Sequence, residues 1–123
     1  MIKAKYFKES EFKACTPSCS LQDMKQDTMD KLDKAREIAG IPFVLNSAYR
    51  SPRWERDHDR TGDGSHPHRC AVDIRCNTYA NRMKIVTALL EAGFRRIGIG
   101  RTYIHVDDDP TKTQDVIWDY YNQ

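Results

Sequence analysis

No stretch of this sequence approaches the roughly 20 apolar residues that a membrane-spanning helix needs, so it holds no helical membrane anchor. Its opening, MIKAKYFKESEF, is basic but lacks the apolar stretch of about 7–15 residues that defines a secretory signal, and synthesis in the cytoplasm is expected. Charge of one sign is missing as well. Lys and Arg number 20 against 18 Asp and Glu, a net +2 that is too slight to argue for nucleic acid as a partner. Internal repeats, low-complexity tracts and linkers are absent. In 123 residues two independent cores would hold about 60 residues each, which is marginal, so a single domain over 1–123 is expected.

Cysteine is sparse, at 15, 19, 70 and 76. A four-thiolate zinc site wants tight C-x2-C pairs, and neither pair has that spacing. Cys70 and Cys76 flank AVDIR, a strand pattern. Six strand steps span about 20 Å, far beyond the roughly 7 Å that a disulfide tolerates between alpha carbons. Small buried thiols, or a clip between Cys15 and Cys19, remain the readings open to these residues.

The regular elements expected from pattern are few. Ser20 with Asp23 three residues on resembles a capped helix start, followed by a stripe of Leu21, Met24, Thr28, Leu32, Ala35 and Ala39 that Gly40 ends. Phe43-Val44-Leu45, a short apolar run leading to Asn46-Ser47, is the first-strand candidate. Residues 50–69 hold no hydrophobic period and read as an irregular loop of the length that is often functional. A strand follows at Ala71–Cys76, then a helix from Asn77 or Thr78 through Ala92 with Tyr79, Met83, Val86 and Leu90 on one face. Arg95–Ile99 and Tyr103–Val106 form a hairpin pattern, and Val116–Tyr121 a last strand. The fold class is α+β: a small, mostly antiparallel sheet, two main helices and a long active-site loop. Phe7 and Phe12 are expected to anchor the first segment.

Chemistry concentrates in two places. His58, His66 and His68 crowd the loop, and Asp73 lies mid-strand just beyond it. If Val72 and Ile74 face the core, alternation turns Asp73 toward whatever the loop covers, where an unpaired carboxylate would be costly. In Tyr103-Ile104-His105-Val106-Asp107 the same alternation puts Tyr103, His105 and Asp107 on one face. His66, Asp73 and His105 therefore suit a three-ligand zinc centre with an open position for water.

Further segments sharpen this. His66 and Asp73, seven apart with Ala71 two before the acid, resemble the S-x-H-x-x-G-x-A-x-D motif of the M15 peptidases, zinc enzymes that cut peptidoglycan stem peptides. Ser47-Ala48-Tyr49-Arg50-Ser51 resembles that family's S-G-Y-R-S. Gly93–Ile99 and Ile104–Asp107 resemble G-F-x-R-I-G-I and I-H-V-D of its small phage-type branch, D-Ala-D-Ala carboxypeptidases and L-alanyl-D-glutamate endolysins. Tyr6-Phe7, Ser10–Phe12 and Cys15 fit its opening. The resemblance covers nearly the whole chain and implies the hedgehog/D-Ala-D-Ala-peptidase-like fold.

Position by position, it implies that His66, Asp73 and His105 bind zinc and that Arg50 binds substrate and stabilises the transition state. It also implies a peptidoglycan peptide as partner, a bacterial host and action at the cell wall, by a protein expected to be monomeric. Three positions depart from the pattern. Gly64 replaces the motif serine, with Ser65 beside it. Arg69 replaces the glycine, so a different backbone path into the strand is expected. Thr102 stands where many relatives carry a carboxylate base, and Asp107 is the expected substitute, with orientation of His105 as its alternative role. His68 is a rival ligand at the wrong offset, five from Asp73. Asp57, Asp59 and Asp63 are reserve acids, and His58 has no supporting context. A non-catalytic wall-binding module that keeps fold and metal is the alternative function.

Overall fold

Five short strands and two longer helices carry most of the hydrophobic residues, and a computed structural model describes residues 1–121 of the chain. The elements are α1 (Glu9–Lys13), α2 (Gln26–Ala39), β1 (Leu45–Ser47), α3 (Pro52–Asp57), β2 (Ala71–Arg75), α4 (Tyr79–Glu91), β3 (Arg96–Ile99), β4 (Tyr103–Asp107) and β5 (Val116–Asp119). The sheet runs β1-β2-β4-β3-β5. Its first three pairings are antiparallel, and β5 lies parallel to β3 at the edge. This is the α+β, mostly antiparallel architecture that the pattern of the chain predicts.

Strand alternation splits the sheet into two unlike faces. Val72, Ile74, Ile97, Ile104 and Val106 point to one side, where they are buried against Met29, Leu32 and Ala35 of α2 and Ile85, Ala88 and Leu89 of α4. Phe7 and Phe12 join this core as expected, with Phe12 on the short helix α1. Leu32 has no exposed surface. Truncating it should cost about 2–5 kcal/mol of stability, read as a lower urea midpoint for Leu32→Ala with an unchanged slope.

The opposite face carries polar residues in one row. Ser47 pairs with Asp73, Asp73 with His105, His105 with Gly98, and Gly98 with Trp118, so one line of register crosses the whole sheet. Gly98 is required in that row. A β-carbon there would come within 2.6 Å of the Tyr120 ring and 2.8 Å of the Trp118 indole.

Five expectations need correction. Ser20 caps a single 3-10 turn, Leu21–Asp23, because the chain turns extended at Met24 before α2 begins. Helix α4 faces the core with Ile85, Ala88 and Leu89, while Tyr79 and Met83 are exposed. Val86 of the expected stripe packs, partly buried, against the same core. The 50–69 segment is not wholly irregular, since Ser51 caps α3 by accepting from the Trp54 amide at 3.0 Å and Pro52 starts it. Arg69 keeps the left-handed conformation that favours glycine, with φ 68°. Its guanidinium packs over the Tyr49 ring and donates to the Asp23 carbonyl at 3.1 Å. These contacts offset the backbone cost, about 1–2 kcal/mol for an L-residue. The cysteines are all free thiols, so no 15–19 clip forms.

Candidate metal centre

Three elements converge above the polar row. Strand β2 presents Asp73, strand β4 presents His105 directly opposite it, and the turn before β2 lowers His66 onto the pair. One ligand-capable atom from each lies within 4.8 Å of the other two. Asp73 Oδ1 stands 3.4 Å from His66 Nε2 and 3.0 Å from His105 Nδ1. Donor atoms around a tetrahedral zinc with bonds of about 2.0–2.2 Å sit about 3.3 Å apart. The spacing fits.

Each imidazole is held by its other nitrogen. His66 Nδ1 donates to the Ala48 carbonyl at 2.6 Å, and His105 Nε2 donates to Asp107 Oδ2 at 2.7 Å. The His66 tautomer so fixed turns Nε2, as a lone pair, toward Asp73, while His105 Nδ1 stands at hydrogen-bond distance from Asp73 Oδ1 and would give up its proton to a bound cation. His66 Nε2 is buried without a hydrogen-bond partner, although a carboxylate faces it. An orphaned acceptor beside an anion is costly unless a cation stands between them.

The electrostatics agree. Burial by itself would raise the Asp73 pKa, but His66 and His105 outweigh it and hold the carboxyl well below the usual range. Burial would lower that of His105, yet Asp107 and Asp73 at its two nitrogens raise it to about 9. The site therefore stabilises positive charge where the three donors meet, and a divalent cation meets that demand.

Arg50 stands beside the group. Its guanidinium donates to Ser47 Oγ at 3.0 Å, lies 3.5 Å from Asp73 Oδ2 and 3.4 Å from Glu55 Oε2, and packs over the Trp54 ring. A cleft of about 200 Å³ opens here, lined by Arg50, Arg60, His66, Asp73, Tyr103, His105 and Tyr120. Burial pushes the Tyr120 hydroxyl up to about 12 and raises that of Tyr103. Both remain donors at neutral pH.

The other residues singled out in the sequence lie apart. Asp107 is fully buried behind His105 and does not line the cleft. Its Oδ1 accepts from Arg96 Nε at 2.7 Å and from the Asp109 amide at 3.1 Å. Burial would raise its pKa, but the bond from His105 leads the contacts that lower it. His68 is not a rival ligand, because its ring binds Asp109 at 2.8 Å and Asp63 at 3.0 Å. His58 stacks on Trp54 at 3.7 Å. Asp57 and Asp63 are exposed, Asp63 on His68 and Asp57 beside Arg53, and neither they nor Asp59 line the cleft.

Sequence reasoning missed Arg60, Glu55 and Tyr120. Alternation along Val116–Tyr121 sets Trp118 and Tyr120 on one face and could have found the tyrosine. Glu55 and Arg60 lie in the stretch without a hydrophobic period, where no pattern marks them.

Two imidazoles and a carboxylate, open to a cleft and flanked by an arginine, are the donor set and surroundings of metal-assisted hydrolysis. A family model described as Peptidase M15 matches residues 5–107, and the chain belongs to this peptidase family. No curated protein and no solved structure matches it.

Proposed function

We propose that this protein is a zinc-dependent peptidase of peptidoglycan stem peptides or cross-links, with His66, Asp73 and His105 as metal ligands and Arg50 as the substrate-binding cation. The orphaned His66 Nε2, aimed at Asp73 and His105 beside Arg50, carries this reading. A zinc ion held by these three residues would supply Lewis acidity and would lower the pKa of a water toward about 7.

The chain's own groups do the rest. Arg50 is oriented by Ser47, Glu55 and Trp54, so its free donors meet a substrate carbonyl or carboxylate without reorganising. Arg60, Tyr103 and Tyr120 add donors around the same space. The cleft suits a substrate that carries or develops negative charge. Soluble action as a monomer at the cell wall of a bacterial host is part of the proposal.

Asp107 is assigned here to orientation of His105 rather than to proton abstraction. Its two oxygens already accept from His105, Arg96 and the Asp109 amide. Asp107→Asn would set an amide against the His105 Nε2 proton and favour the wrong tautomer for ligation. The variant should lose about 10–100-fold in zinc affinity, with kcat at saturating zinc little changed. A kcat loss of about 10²–10⁴-fold with affinity intact would restore the general-base role.

Metal analysis combined with peptidoglycan digestion and mass spectrometry of the released fragments tests the whole reading. Zinc at one per chain with defined peptide fragments is the expected result. A protein that binds zinc and sediments with cell walls but cuts nothing would favour the binding-module reading. Thr102 at the family's carboxylate position, and a cleft lined among the described residues by no carboxylate besides Asp73, are the observations on that side.

A further inference from the structure

Asp109 sits where the chain leaves β4, with no exposed surface. Its Oδ2 accepts from Ser65 Oγ at 3.0 Å and from His68 Nδ1 at 2.8 Å. Its Oδ1 accepts from the Thr111 amide at 3.0 Å and the Thr111 hydroxyl at 2.7 Å. Its own amide donates to Asp107, which in turn accepts from His105. Ser65 and His68 straddle His66 in the chain. One buried carboxylate therefore grips the His66 turn on both sides, and its backbone continues the bonded path to His105.

We propose that Asp109 is a positioning residue of the metal centre, fixing the turn that carries His66 against the strand that carries His105. The inference rests on the metal reading above. Ligands from separate elements bind a metal well only when their spacing is set beforehand, and groups behind the ligands are worth about 10–100-fold in affinity. The other tethers of this turn are the His66 ring on the Ala48 carbonyl and backbone bonds through Arg69. A backbone bond from the Asp108 amide to the Cys70 carbonyl at 3.2 Å also ties the exit of the turn to the end of β4, and Asp109 adds the side-chain link to Ser65 and His68.

The neighbouring residue supplies an internal control. Asp108 accepts from Thr28 Oγ1 at 2.6 Å and Lys31 Nζ at 3.1 Å, so its carboxylate anchors the same loop to α2 and not to the His66 turn. A merely structural role for Asp109 would make the two residues equivalent.

Zinc affinity measured by competition with a chromophoric chelator, beside the melting temperature of the metal-free protein, separates these cases. Asp109→Ala should weaken zinc binding by about 10–100-fold and alter the visible spectrum of the cobalt-substituted protein. Asp108→Ala should lower the melting temperature while leaving zinc affinity unchanged. Ser65→Ala, a mild change, should shift affinity in the same direction as Asp109→Ala by a smaller factor, and it carries the test if Asp109→Ala does not fold. Wild-type affinity in Asp109→Ala or in Ser65→Ala, or an equal loss in Asp108→Ala, would overturn the proposal. A wild-type protein that takes up no zinc would overturn the metal reading along with it.

Discussion

His66→Ala should weaken zinc binding by about 10³-fold and leave the metal-free protein folded. Zinc sites contribute about 10–16 kcal/mol, so losing one ligand of three removes roughly 4 kcal/mol, or about 10³-fold in affinity. Asp73 keeps His105 at 3.0 Å and Arg50 at 3.5 Å in this variant, so no buried carboxylate is stranded. His105→Ala should behave differently. Its imidazole lies between Asp73 and Asp107, and removing it takes away the charge that both acids share, leaving Asp73 with Arg50 and Asp107 with Arg96. Breaking a buried pair costs about 3–5 kcal/mol, so this variant should lose both metal and stability. Dialysis followed by metal analysis, with thermal melts of the metal-free proteins, distinguishes the two. Equal melting temperatures for both variants would refute the account of His105 as a charge buried between acids.

Arg50→Ala is expected to retain zinc and to lose about 10²–10³-fold in kcat on stem-peptide substrates, the scale for deleting one preorganised oxyanion donor. Glu55 keeps Arg60 at 3.4 Å, which limits the structural damage. Arg50→Lys should recover little, because an ammonium cannot hold Ser47, Glu55 and a substrate oxygen with one rigid fork. Normal digestion of peptidoglycan by Arg50→Ala would make the residue a structural partner of Asp73 and Glu55 only.

The proposed ligand set is legible because strands repeat every two residues. His105 and Asp73 each stand between apolar neighbours that must face the core, so their direction follows from alternation alone. His66 was legible through its distance from Asp73 within a longer motif. Helix α3 was hidden because PRWERD has no apolar stripe and its buried residue is a glutamate, held by Arg50 and Arg60 rather than by hydrophobic contact. Tertiary packing alone selects between the two possible inward faces of α4, and adjacent stripes differ by only one residue's rotation. Arg69 shows the reverse case. The sequence argues against a glycine-like turn there, yet Tyr49 and Asp23 hold the arginine in that conformation. Asp109 lies beyond every motif, and only the closed structure reveals what it holds.

The line of residues running across the five strands has a consequence for how the fold is checked. Asp73 and His105 are opposite one another only in one alignment of β2 and β4. A slip of one residue would send Asp73 toward the helices and bring Val72 or Ile74 to its place. No misaligned sheet can assemble the proposed cation site, so zinc bound there would favour this alignment as well as the folded chain. Binding energy that acts on the native state alone is added to its stability by mass action. A metal bound there would thus add to the preference for this alignment that the buried face already sets, and zinc should raise the melting temperature of the wild-type protein above that measured in chelator.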